Sequence, residues 1–202
     1  MRIGGIMLSI LLGLVFVFFN HSIFLESGGE IGIWPSFLGF ILIAVGIEEI
    51  CSDSKILKMI TTWEQLLAFY AVVYWIINAI EPEKVTYNMY VAMDWILLVA
   101  TAVIILLLVL GINQVAKTRE MEYNNTLLLV SFIIFEVADV MKLVTSWYAY
   151  FAGSEYIIMA IMIVAEIIMI VAMLKARKAY NATARIAYLD EEDDNNATVA
   201  GA

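Results

Sequence analysis

"WILLVATAVIILLLVLGINQVA", residues 95–116, runs from Asp94 to Lys117 without a charged side chain. At 1.5 Å rise per residue a helix of this length covers about 33 Å, the thickness of a bilayer's hydrocarbon core. The run lies in the longest and most apolar of the chain's hydrophobic segments. It therefore reads as a membrane-spanning helix, and the whole chain agrees. Of its 202 residues 63% are hydrophobic and 15% charged, with only two prolines. A water-soluble domain is about 45–50% apolar. The fold class expected is an all-α integral membrane protein.

Five more segments have the same character. The expected helices are Ile3–Phe19, Ile33–Ile50 opened by Pro35, Glu64–Ile80, Met89 to about Val115, Thr126 to about Phe151, and Tyr156–Leu174. This predicts a six-helix transmembrane domain over residues 1–178. "VFFNHSIF", residues 17–24, lacks the small residues of a signal-peptide cleavage site, so the first segment is expected to stay as a helix. The basic residues orient the bundle. Arg2, Lys55, Lys58, Lys117, Arg119, Lys175, Arg177, Lys178 and Arg185 all fall on one side of a six-span chain, and only Lys84 on the other. Lys and Arg stay on the cytoplasmic side of short loops, which predicts both termini in the cytoplasm. Residues 179–202 form the expected cytoplasmic tail. There Asp190, Glu191, Glu192, Asp193 and Asp194 supply five of the net nine negative charges, and this acidic end reads as disordered.

Several function classes are excluded. No basic stripe exists to bind nucleic acid. One cysteine, Cys51, and one histidine, His21, cannot form an intramolecular disulfide or a usual zinc or haem site. His-Glu-x-x-His, Gly-x-Ser-x-Gly and phosphate-cradling glycine loops are absent, so neither an enzyme nor a cofactor is expected. The expected partners are the lipid bilayer and either a second copy or another membrane subunit.

The chemistry concentrates in "FEVADVMKL", residues 135–143. Glu136, Asp139 and Lys142 lie three residues apart, a spacing that puts them on one helix face, and Ser146 continues it. Asp139 can pair with either neighbour. Glu166 falls near the middle of the next helix, at similar depth if the two pack antiparallel. Charges inside a membrane favour a functional site, and carboxylates there hold protons or cations. Glu136, Asp139, Lys142 and Glu166 are therefore transport-site candidates. The competing reading is a polar network that only holds the two helices together.

Tyr70, Tyr74 and Asn78 repeat every four residues and, with Ser146, are candidates to line a path. Tyrosines at this spacing also serve as interhelical hydrogen-bond donors. Gly5, Ser9 and Gly13, with Gly39 and Gly46, are candidates for close helix packing, and the first three for contact with a second copy. Met159, Met162, Met169 and Met173 suit flexible packing better than passage of Cu(I). Asp94, beside Trp95, reads as interfacial, and Glu48 and Glu49 as solvated.

"IGIWPSFLGFILIAVGIEEI", residues 31–50, carries Trp34, Pro35, Phe37, Gly39, Phe40 and Gly46. This pattern resembles a signature of small multi-pass membrane proteins of Clostridia-type bacteria. That signature has an acidic residue after the proline, where this chain has Ser36. The resemblance covers the first quarter to third of the chain. It implies a bacterial plasma membrane and no particular activity. The function expected is a small proton- or cation-coupled transporter or permease. The alternative is a sensor, immunity factor or scaffold subunit whose intramembrane charges are structural.

Overall fold

Pro35 and Ser54 set two of the helix starts. Pro35 occupies the N-cap of α2 (Ser36–Ile50), with φ −61° and ψ 116°. A single 3-10 turn, Cys51–Asp53, separates α2 from α3 (Lys55–Ile80). The Ser54 hydroxyl accepts the Leu57 N–H at 3.2 Å and donates to Gln114 Oε1 at 2.8 Å. Capping of this kind satisfies an amide that would otherwise be orphaned. It lets α3 begin nine residues before the expected Glu64, taking Lys55 and Lys58 into its first turns. The remaining helices are α1 (Leu8–Phe18), α4 (Tyr87–Thr118), α5 (Asn125–Trp147) and α6 (Glu155–Ala200).

The computed structural model describes residues 7–18, 22–24, 30–32, 35–80, 86–121, 125–147 and 155–200. Between α1 and α2 lies an antiparallel ribbon of β1 (Ser22–Phe24) and β2 (Glu30–Gly32), with Ile23 opposite Ile31. The architecture is otherwise helical. Helix α6 runs unbroken across the 178/179 boundary expected from composition. Residues 155–200 contain neither glycine nor proline, so no residue there interrupts the helix.

Among the described residues three helices contain stretches long and apolar enough to cross a membrane: Lys55–Ile77, Asn88–Thr118 and Tyr156–Thr183. The others fall short for separate reasons. Helices α1 and α2 have 11 and 15 described residues, against about 20 for a span. Helix α5 has 23 residues but carries Glu136, Asp139 and Lys142 together near its centre.

Each helix packs on the next in sequence. The contacts are extensive between α1 and α2, α2 and α3, α3 and α4, and α5 and α6. Thinner contacts of α4 with α5 and α1 with α6 close the ring. The main apolar core includes Ile10, Ile47, Leu57, Leu108, Leu128 and Met173, which together draw on all six helices.

The α1–α2 contact is backbone on backbone. A Cβ added to Gly13 would lie 2.6 Å from the Gly39 carbonyl oxygen, and one on Gly39 would lie 2.6 Å from that of Gly13. Gly46 meets the Ile10 nitrogen and the Ser9 Cβ in the same way, at 2.8 and 3.3 Å from the added atom. Small residues permit this approach. The face expected to offer Ser9 and Gly13 to a second copy is thus taken up by α2. Gly5 lies outside the described residues, as do Trp34 and His21.

One end of the bundle is tied together by charge. The Arg119 Nε donates to Asp53 Oδ2 at 2.6 Å, and its guanidinium carbon sits 4.4 Å from the centre of the Tyr180 ring. These contacts join the 3-10 turn, the end of α4 and α6. Overpacking a close backbone contact costs about 1–3 kcal/mol. Gly39→Ala should therefore lower stability by about that amount, read as a drop in the thermal midpoint of the detergent-solubilised protein. Leu12→Ala, on an exposed side of α1, should change it little.

Candidate functional site

A cavity of about 470 Å³ lies toward the end of the bundle opposite Arg119, and all six helices line it. Helices α1, α3 and α5 contribute late residues: Phe18, Tyr74, and Glu136 through Lys142. Helices α2, α4 and α6 contribute early ones: Ser36 and Phe40, Asp94 through Thr101, and Met162. Alternating chain direction brings late and early residues to one end, so the up-down order of the helices creates the site.

Helix α5 supplies its charge because of how its faces are distributed. Val137, Val140 and Met141 are exposed toward the surroundings of the bundle, while Phe135 and Ala138 are buried. Phe135, Ala138, Met162 and Ala165 form the seam with α6. The remaining direction points into the cavity, and Glu136 and Asp139 take it, each partly buried. Lys142 is exposed and forms part of the rim. Asp139 interacts electrostatically with Lys142. No ion pair closes between them among the described residues, in contrast to the pairing their spacing allowed.

Glu166 is placed differently. It is buried and absent from the cavity lining, one residue beyond Ala165 of the seam. It remains within electrostatic range of Lys142 and Asp139. The four charged candidates therefore divide: Glu136, Asp139 and Lys142 line the space, and Glu166 stands behind it.

The tyrosines also divide. Tyr70 donates its hydroxyl to the Met93 carbonyl at 3.1 Å, which docks α3 on α4 away from the cavity. Tyr74 lines the cavity and donates to Asp94 Oδ1. The side chains of Asn78 and Ser146 lie outside the described residues. Of the methionines, Met162, Met169 and Met173 are buried in packing and Met159 is exposed, so they present no continuous sulfur stripe.

Asp94, expected at the membrane interface, also lines the cavity and accepts the Tyr74 hydroxyl, a role that expectation did not include. The missed signal was the tyrosine face of α3, which needs acceptors on whichever helix packs beside it. Glu64 was also missed. It looked like the start of a helix, but α3 begins earlier and Glu64 is fully buried within it, at 0% exposure. Glu48 and Glu49 are exposed, as solvated carboxylates would be.

Aromatic surface completes the lining. Phe18 and Phe135 meet edge to face with ring centres 4.3 Å apart. Acidic oxygens, aromatic faces and a rim ammonium thus surround one space. Among the described residues no three His, Cys, Asp or Glu side chains converge to hold a metal ion. A larger groove, about 640 Å³, runs between α3 and α4 past Trp63, Trp95 and Val103. Its lining is almost wholly apolar and open, as expected of a surface meeting acyl chains.

Comparison with protein-family models, with curated proteins and with solved structures finds no match. The likeness of residues 31–50 to the bacterial signature accordingly rests on those residues alone.

Hydrogen bonds to charged groups contribute about 1.5–3 kcal/mol. Tyr74→Phe should destabilise the protein within that range, and Asp94→Asn likewise. The double variant should lose clearly less than the sum of the two, as a thermal-unfolding cycle would show.

Proposed function

We propose that the chain is a small proton- or cation-coupled transporter of the bacterial plasma membrane, with six spans and both termini in the cytoplasm. One observation carries this reading: a cavity reached by all six helices gathers Asp94, Glu136, Asp139 and Lys142 around one space, with Ser36, Tyr74 and Thr101 beside them. A protein that needed charge only to hold two helices together would have no reason to hollow out space beside it. Three carboxylates against one ammonium suit a cationic guest, and the faces of Phe18, Phe40 and Tyr74 add attraction for one. Glu136 is the proposed coupling residue, exchanging a proton for the guest, and Asp139 and Lys142 set the field around it.

Six spans are compatible with the short and charged helices. The charges of α5 turn inward, so its outer face stays apolar. The glycine contact lets α1 and α2 cross as one tight pair. Nine basic residues on the side of Arg119 make that side cytoplasmic under the positive-inside rule, so the cavity faces outward.

A structural reading keeps support at one residue. Glu166 is buried outside the lining, and there it can serve the α5–α6 seam. A scaffold or sensor would use the whole charged face in that way.

Cysteine accessibility separates the two readings. In a background with Cys51 replaced, single cysteines at 139 and 142 should react with a membrane-impermeant thiol reagent added outside the cell. A cysteine at 166 should not. Protection of all three positions in folded protein would remove the transporter reading. In reconstituted vesicles Glu136→Gln should reduce proton-linked cation flux to background while leaving the thermal midpoint nearly unchanged.

A further inference from the structure

Glu64 is buried in the middle of α3, at 0% exposure, and neither carboxyl oxygen has a hydrogen-bond partner. It does not line the cavity. On its own helix the buried face continues as Ile60 before it and Leu67, Ala68 and Ala71 after it. These side chains belong to the apolar clusters that bind α3 to α2 and α4.

No charge on the packed helices compensates it. Helix α4 has no titratable residue from 95 to 116, between Asp94 in the cavity and Lys117 near its end. Helix α2 carries only Glu48 and Glu49, both exposed and of the same sign. On α3 itself Lys55 and Lys58 are exposed, and the Tyr70 hydroxyl is committed to Met93. In the 3-10 turn Asp53 is committed to Arg119, and β2, which also packs on α3, brings only Glu30, of the same sign.

An isolated carboxylate in such surroundings is prohibitively costly, whereas a neutral acid has only polar atoms to satisfy. A metal cation would need several oxygen ligands, and among the described residues no three His, Cys, Asp or Glu side chains converge to supply them. We propose that Glu64 is a proton-binding site separate from the cavity, occupied in the packed bundle and emptied only when the α2–α3–α4 packing opens to water. The site would work equally in a transporter or in a sealed scaffold, so it does not rest on the reading above. By helical rise Glu64 lies roughly 14 Å from Lys55, nearer the Arg119 end than Tyr74 is.

Two measurements on the full-length protein in vesicles test this. The first is the infrared carbonyl stretch of a protonated carboxylic acid at neutral pH. One component of it, slow to shift in D₂O, should be present in the wild type and missing from Glu64→Gln in their difference spectrum. The second needs no variant. A lipid-soluble carbodiimide adds the acid O–H across its C=N bond, and the O-acylisourea so formed rearranges by acyl transfer from oxygen to nitrogen into a stable N-acylurea, so peptide mass analysis should find one reagent mass on Glu64. A membrane-impermeant carbodiimide should leave Glu64 unmodified. An ionised Glu64 at neutral pH would overturn the proposal. So would modification by the impermeant reagent, or protection from the lipid-soluble one by sodium or potassium, which would make the site a cation site.

Discussion

Charge in hydrocarbon must be hydrated, paired or neutralised, and this constraint organises the molecule. Five of its carboxylates meet it in three ways. Glu136, Asp139 and Asp94 border a cavity large enough for water or a guest. Asp53 is bound by Arg119 at the opposite end. Glu64 has neither space nor partner. The same residue type thus meets three environments, and each environment permits different chemistry.

Packing creates those environments. The backbone contact of Gly13 with Gly39 and of Gly46 with Ile10 draws α1 and α2 together on one side of the ring. The α5–α6 seam closes the other through Ala138 and Ala165. Larger aromatic residues then occupy the inner wall, where Phe18 meets Phe135 across α1 and α5. The helices are held by buried contact at the Arg119 end and surround the cavity at the other. The two ends of the bundle are therefore built from different contacts. The tied end needs Ser54, Gln114, Arg119 and Tyr180, and the open end needs Tyr74 and the acidic residues of α4 and α5.

Much of this was legible in the residues. The uncharged run 95–116 implied a spanning helix by its length alone. The three-residue spacing of Glu136, Asp139 and Lys142 implied one polar face on α5. Small residues marked where helices approach. Each inference depends on local chemistry: helical rise, side-chain spacing and the transfer energy of a segment. Such properties need no knowledge of which helix is the neighbour.

Neighbours decided everything else. Asp94 became a cavity residue because α4 runs antiparallel to α3 and brings it opposite Tyr74. Glu166 went behind the lining because the α5–α6 seam takes that face of α6. Glu64 became an isolated buried acid because Ser54, held by Gln114 from α4, starts α3 nine residues earlier than hydropathy indicated. The sequence by itself determined that the chain is helical, apolar enough for a membrane and charged along one face of α5, since these follow from the order of residues along single helices. Only the tertiary structure decided which charges share a cavity and which is left alone, since that depends on contacts between residues tens of positions apart.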